Sequence, residues 1–235
     1  MNRLLAIRRW ADDRGIAGID QPILIVVGAD SHTAVVASSD LDVRMVQPPR
    51  DIDQAMKAGS DDADRLIDAG TDLLALAGSD ETAALTTIGV LTKLDAAAIL
   101  GLPTELDDDT WMRECANLRD RMREVRPHLG EQADFLRALD APVIAYLVGA
   151  ISRARSRNTP VLVDGLAATA AALIAQRSDS KLTESMLLAQ RTAHAAFQPA
   201  ADRLDLDPIL DLGLLDEPGT ASVLALPIVR AALLR

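Results

Sequence analysis

At 235 residues, 49% hydrophobic and 25% charged, the chain can bury the core of one α/β domain or of two small ones. With 35 acids against 24 bases, a net charge of −11 and 2% aromatics, it lacks the basic footprint and stacking surface of a nucleic-acid binder. No apolar run approaches the roughly eighteen residues of a membrane span, and the single Cys115 excludes an internal disulfide or a cysteine zinc cluster.

The opening MNRLLAIRRWADDRG carries acids early and has no long apolar stretch, unlike a signal peptide, so a cytoplasmic location is expected. Residues 2–14 predict a short amphipathic helix with Leu4, Leu5, Ile7 and Trp10 among its apolar contacts. Pro22–Val27 reads as a strand buried on both faces, and Leu41–Val46 as another, closed by Pro48-Pro49. Asp51 then caps a helix that Gly59-Ser60-Asp61-Asp62 divides in two and Gly70 ends. Leu73–Ala77 is a third buried run, followed by a helix from Thr82 to about Leu94 and a short one over 95–101. A loop over 102–108 leads to the long helix 110–126, with Asp107, Asp108 and Asp109 where acids favour a helix N-terminus. Helices follow over 131–139 and 142–157, with Pro142 at a first-turn position. Arg153, Arg155 and Arg157 oppose the negative end of that helix dipole.

Val161–Val163 is a fourth buried run, broken by Asp164-Gly165 and followed at once by an alanine-rich helix. Ser185–Leu188 fits a fifth strand, though periodicity equally allows a helix from Asp179. The remainder predicts a helix over 194–204, a short apolar run at 209–212, a turn at 216–220 and a terminal apolar helix containing Pro227. Strands alternating with helices imply an α/β fold: a doubly wound, mostly parallel sheet flanked by helices, with extra helices packed on it. No repeat or linker divides the chain, so residues 1–235 are expected to form one domain, with 1–20 as an N-terminal helix and 102–140 as a helical part.

In such sheets ligands bind outside the carboxyl ends of the strands. The loops there are Asp30-Ser31-His32, Ser79-Asp80-Glu81-Thr82, Asp164-Gly165, Gln190-Arg191-Thr192 and Asp216–Thr220. They are rich in carboxylates and poor in glycine. Only Gly219-Thr220 and Thr86-Thr87 resemble a phosphate cradle of small residues and bare N–H groups. Asp80 and Asp216 also suit plain N-caps, and Glu81 and Glu217 suit a first helical turn. His194 has no acidic neighbour in sequence, and with no HxH or HxxxH pair neither a metal nor a cofactor is expected.

ADFLRALDAPVIAYLVGAISRARSRNTPVLVDGLAATAAALIA and PILDLGLLDEPGTASVLALPIV resemble the nicotinate-nucleotide–dimethylbenzimidazole phosphoribosyltransferases, as does AMKAGSDDADRLIDAGTDLLALA upstream. The resemblance runs from about Pro22 to the C-terminus. It implies a doubly wound, usually dimeric fold. It also implies phosphoribosyl transfer from nicotinate mononucleotide to a benzimidazole nitrogen, inverting the anomeric carbon, with a glutamate as base for the benzimidazole. The partners implied are therefore a small-molecule nucleotide or base and a second copy in a homodimer.

Residue by residue, the resemblance is uneven. The family's GEMGIGNTT loop is similar to Ser79–Thr87, which keeps Thr86 and Thr87 but replaces every glycine and adds two acids. Its GGFE motif falls on Asp140-Ala141-Pro142-Val143, and its HRSAEPGH stretch on Gln190–Phe197. A family lysine near the start of the long helix falls on Glu114, which makes the adjacent Arg113 the substrate-binding candidate there. The glutamate of GEGTG falls on Pro218, with Glu217 one residue earlier, about 100° around a helix. Glu217 is thus the catalytic candidate, and Asp30, Thr86, Thr87, Arg113, Asp164, Gly165, Gly219 and Thr220 are the substrate-binding ones. Two functions stay open on the sequence: a divergent, weakened transferase, or a non-catalytic relative that binds a ligand or partner through a degenerate phosphate site. An acidic rim holding a cation ranks below both.

Overall fold

A computed structural model describes residues 3–31, 33–102, 107–213 and 217–234. Six strands, β1 (Pro22–Val27), β2 (Asp42–Val46), β3 (Leu73–Gly78), β4 (Val161–Asp164), β5 (Met186–Gln190) and β6 (Pro208–Leu210), form one sheet in the order β2-β1-β3-β4-β5-β6. All five pairings are parallel, so every strand needs a crossover and the carboxyl ends share one edge. The order reverses at β1, and this places a crevice between the ends of β1 and β3.

The helices are α1 (Arg3–Asp12), α2 (Ala34–Ala37), α3 (Ile52–Asp68), α4 (Glu81–Thr92), α5 (Ala96–Leu100), α6 (Asp108–Val125), α7 (Gln132–Leu139), α8 (Pro142–Ser156), α9 (Gly165–Gln176), α10 (Phe197–Leu204) and α11 (Thr220–Leu233). Both faces of the sheet are covered, as the doubly wound reading expects. Ile23, Ile25, Val27, Leu74, Leu76, Val161 and Val163 face α3, α4, α8 and α9, with α6 and α10 joining that core. Leu24, Val26, Leu73, Ala75 and Leu162 face the opposite core, built on α1, α2 and α11. This two-residue alternation is the strand period, and burial on both faces explains why β1, β3 and β4 read as continuous apolar runs.

Two expectations change, one open alternative closes on the strand, and one helix is added. Helix α3 is continuous through Gly59, which does not divide it. A β-carbon at Gly59 would lie 2.0 Å from the Tyr146 carbonyl oxygen, and one at Gly149 would lie 1.9 Å from that of Met56. The two glycines bring α3 and α8 into backbone contact, and the fully buried Tyr146 donates a 2.6 Å bond to Asp62 across the same pair. Residues 186–190 are strand, and the alternative of a helix from Asp179 reduces to a single tight turn over Leu182–Ser185. Helix α10 starts at Phe197 instead of 194, because the Ala196 N–H is bonded back to His194 Nδ1 at 3.1 Å. Helix α2, capped by the Thr33 hydroxyl, occupies the segment between the first two strands, where no helical periodicity marks the residues. Most of the expected loop over 102–108, with Asp216 and His32, lies outside the described residues.

Arg153 and Arg157 pair with Asp64, Arg157 also with Asp68, and Arg155 with Asp179 and Glu184. The densest basic stretch is thus bound to the chain's own acids. No helix among the described residues is long and apolar enough to cross a membrane.

Candidate active site at the carboxyl edge

Asp164 ends β4 and is 1% exposed. Its Oδ2 accepts the backbone N–H of Ser222 at 2.6 Å, which ties the first turn of α11 to the middle of the sheet. A buried carboxylate is stable only when such donors satisfy it, so this contact fixes where α11 begins. Gly165 follows at φ +81°, a conformation in which a β-carbon is strained, and it lets α9 leave the strand at once.

Gly219, at φ +89°, precedes α11 and packs against β1 and α2. An added β-carbon would lie 2.9 Å from Leu24 Cδ2 and 3.1 Å from Val36 Cγ2. Thr220 is 5% exposed, and its hydroxyl lies 2.9 Å from that of Thr33, which in turn accepts the Val36 N–H. The same Thr220 hydroxyl reaches Glu217 Oε2 at 3.4 Å. Glu217 itself is exposed, with its carboxylate at the mouth of this edge. The structure therefore gathers Asp164, Gly165, Gly219, Thr220 and Glu217. Thr33 and Ser222 join them, and no local sequence signal marks either: Thr33 meets its partner across 187 residues, and Ser222 contributes a backbone group.

The other candidates sit differently. Thr86 and Thr87 are fully buried in the second turn of α4, because that helix begins at Glu81. Thr86 donates to the Thr82 carbonyl at 2.7 Å, while the buried Thr87 hydroxyl has no hydrogen-bond partner among the described residues. Arg113 is exposed on α6 and bonds Thr110 of its own helix at 2.8 Å. Asp30 is exposed just beyond β1. A cleft of about 620 Å³ lined by Asp20, Asp42, Leu66, Pro227 and Arg230 lies at the amino ends of β1 and β2, away from these groups. Helix N-termini and loops converge instead at the carboxyl ends of the strands.

Asp80, at the end of β3, caps α4: its Oδ1 accepts the Ala83 N–H at 3.1 Å. Burial raises its pKa, against the lowering effects of that bond and of Arg121. His194 finds in space the acid it lacks in sequence, with Nε2 3.8 Å from Glu81 Oε1. Since Nδ1 accepts the Ala196 N–H, Nε2 carries the proton of the neutral ring. Burial pushes the His194 pKa below its usual value, opposed by Glu81. Protonation therefore disfavours the folded state. This contribution to stability is present above the unfolded value of about 6.5 and is lost as pH falls through it toward the lower folded value. Thermal melts between pH 7 and 5 should show the wild type losing more stability than His194→Gln.

Among the described residues no cluster of three His, Cys, Asp or Glu is arranged to hold a metal ion. A family model described as Phosphoribosyltransferase matches residues 32–234. A nicotinate-nucleotide–dimethylbenzimidazole phosphoribosyltransferase of Streptomyces avermitilis is 35% identical over 205 residues, covering 86% of this chain and 55% of that protein. One from Mycolicibacterium paratuberculosis is 35% identical over 234 residues, covering 93% and 66%. The chain thus spans about half to two thirds of the length of these relatives. In fold it is similar to the crystal structure of CobT from Thermus thermophilus, with a TM-score of 0.83 at 18% identity, covering 98% of this chain and 88% of that one. These matches lie on the sheet and helices described above, and the chain belongs to the nicotinate-nucleotide–dimethylbenzimidazole phosphoribosyltransferase family.

Proposed function

We propose that this chain transfers the phosphoribosyl group of nicotinate mononucleotide or a related donor onto a benzimidazole-type base, in the assembly of the lower ligand of cobalamin. The observation that carries the reading is the Asp164–Ser222 bond, with the Thr33–Thr220 pair beside it, because together they hold Glu217 over the carboxyl edge. Glu217 takes the proton from one benzimidazole nitrogen as the other attacks C1′ of the ribose. The C1′–N bond to nicotinate breaks, nicotinate leaves with the electron pair, and attack opposite the leaving group inverts C1′. Asp164, Thr33 and Gly219 act as positioning residues, since their contacts are with the chain.

The test is nicotinate release on mixing the purified protein with a ribosylated nicotinate donor and a panel of benzimidazoles. Glu217→Gln is expected to slow release by about 100-fold or more. Because the side chain is exposed, its melting temperature should stay at the wild-type value. A release rate unchanged in that variant removes Glu217 from the chemistry.

A second reading, a non-catalytic binder, is favoured by Asp80, which occupies with its own carboxylate the helix start that matches the family's glycine-rich loop. Stabilisation by a benzimidazole with no nicotinate released from any ribosylated donor would select it. We also propose a cytoplasmic location and a homodimer formed by one-domain subunits, with the exposed Leu4 and Leu5 of α1 and Leu224 of α11 at the contact. Sedimentation at micromolar concentration measures the dimer.

A further inference from the structure

Resting on the transfer reading above, we propose that Arg121 of α6 binds the 5′-phosphate of the nicotinate nucleotide and so sets the preference of the crevice for a phosphorylated donor. The residue is partly buried, and its hydrogen bonding is incomplete. One terminal nitrogen, Nη2, donates to the Leu139 carbonyl at 3.2 Å. The Nε–H is buried and has no partner. Asp80 feels the guanidinium as a nearby charge, and no carboxylate among the described residues forms an ion pair with it. This is so although acids outnumber bases 35 to 24 in the chain. A buried charged donor without an acceptor is costly, so this guanidinium is set to receive an acceptor from outside the chain.

The anchor fixes where that acceptor sits. Leu139 ends α7, two residues before Ala141, the N-cap of α8. No side chain caps α8, so its first turn presents bare backbone N–H groups beyond Pro142. Val143 in that turn packs on Gly28 and Gly78 at the ends of β1 and β3, which places the turn on the crevice. The positive end of the α8 dipole and the Arg121 charge therefore act on the same point. Asp80 agrees with this placement: it caps α4 just beyond β3, and Arg121 is close enough to lower its pKa. A phosphate monoester carries about −1.5 to −2 charges at pH 7 and accepts paired guanidinium N–H bonds. Asp80 and Glu81 oppose that charge, so holding the anion at this edge requires a cation there. Arg113, the candidate from the sequence, is exposed and bonded to Thr110 of its own helix. Arg121 lies eight residues further along α6, about 12 Å, where the helix meets the crevice. Its role is binding, and the bonds made and broken at C1′ are those given above.

The experiment crosses the protein with the donor. Wild type and Arg121→Gln, which keeps a polar N–H group without the charge, are titrated by calorimetry with nicotinate mononucleotide and with nicotinate riboside. Nicotinate release from each donor is then followed with a benzimidazole acceptor. Wild type is expected to bind the mononucleotide more tightly than the riboside. Arg121→Gln should weaken mononucleotide binding about tenfold or more and raise its KM alike, with kcat within about twofold of wild type. Riboside binding should change by less than about twofold. Arg121→Lys, which keeps the charge without the paired N–H groups, should fall between the two proteins. If Arg121→Gln does not fold, the lysine variant carries the test, and its affinity must fall for the mononucleotide alone. Equal weakening of both donors overturns the inference, since a residue that only ties α6 to α7, or that binds the nicotinate carboxylate, affects both alike. Unchanged mononucleotide binding overturns it too, and in either case continued nicotinate release leaves the transfer reading standing. Release from neither donor by wild type removes the transfer reading, and the calorimetric comparison then decides the phosphate contact by itself. Binding of neither donor overturns both.

Discussion

Gly149→Ala is expected to destabilise the chain by about 3 kcal/mol, and Gly59→Ala by a similar amount. The sign is the informative part. In the middle of a helix, alanine normally improves on glycine by about 0.5–1 kcal/mol, because glycine loses more backbone freedom on folding. Here the new methyl would sit 1.9 Å from the Met56 carbonyl oxygen at position 149, or 2.0 Å from that of Tyr146 at position 59. Backbone cannot swing aside as a side chain does, so α3 and α8 must separate. Separation opens the core that holds Ala55, Ala63, Ala145 and Ala150, and it stretches the 2.6 Å bond from Tyr146 to Asp62. For a chain of this length the melting temperature should fall by roughly 6–12 °C. Gly130→Ala, where an added β-carbon meets nothing within 4 Å, is the control and should leave the melt unchanged. A Gly149→Ala protein that melts at or above the wild-type temperature would mean that the two helices do not touch through their backbones.

The same pair shows where sequence reading stops. Gly59 looks like a helix breaker when its neighbours are Ser60, Asp61 and Asp62, since local propensity is all the local sequence carries. Its role is set by Gly149, far along the chain, through an interhelical contact that propensity does not register. By contrast β1, β3 and β4 were legible because burial on both faces leaves a continuous apolar run. The short β6, at the edge of the sheet, and β5, reached through a tight turn, left weaker marks. At the site, Asp164 was readable because a strand ending in a carboxylate is a local pattern. Its bond to the Ser222 N–H was not, and neither was the Thr33–Thr220 pair, since each joins segments brought together only by crossovers. Thr86 and Thr87 matched a phosphate cradle by composition. The Asp80 cap starts α4 at Glu81 and so carries both threonines into the helix body.

Asp164→Ala is the second large effect, and it separates holding the fold from holding the site. The carboxylate is 1% exposed and accepts the Ser222 N–H at 2.6 Å, so truncation leaves that donor at the base of α11 without its acceptor. Losing a charged acceptor from a buried pair costs about 2–4 kcal/mol, read as a fall in the urea midpoint. Asp164→Asn keeps an oxygen in the same place and should recover at least half of that loss. Turnover should follow the same order, because the first turn of α11 carries Thr220, and Glu217 leads into it. Nicotinate release should fall most in the alanine variant and partly return in the asparagine one. If Asp164 instead bound substrate directly through its charge, asparagine would restore stability while release stayed as low as in alanine. The positioning role demands that stability and release recover together, since the same hydrogen bond that holds α11 to the end of β4 also sets where the proposed base stands.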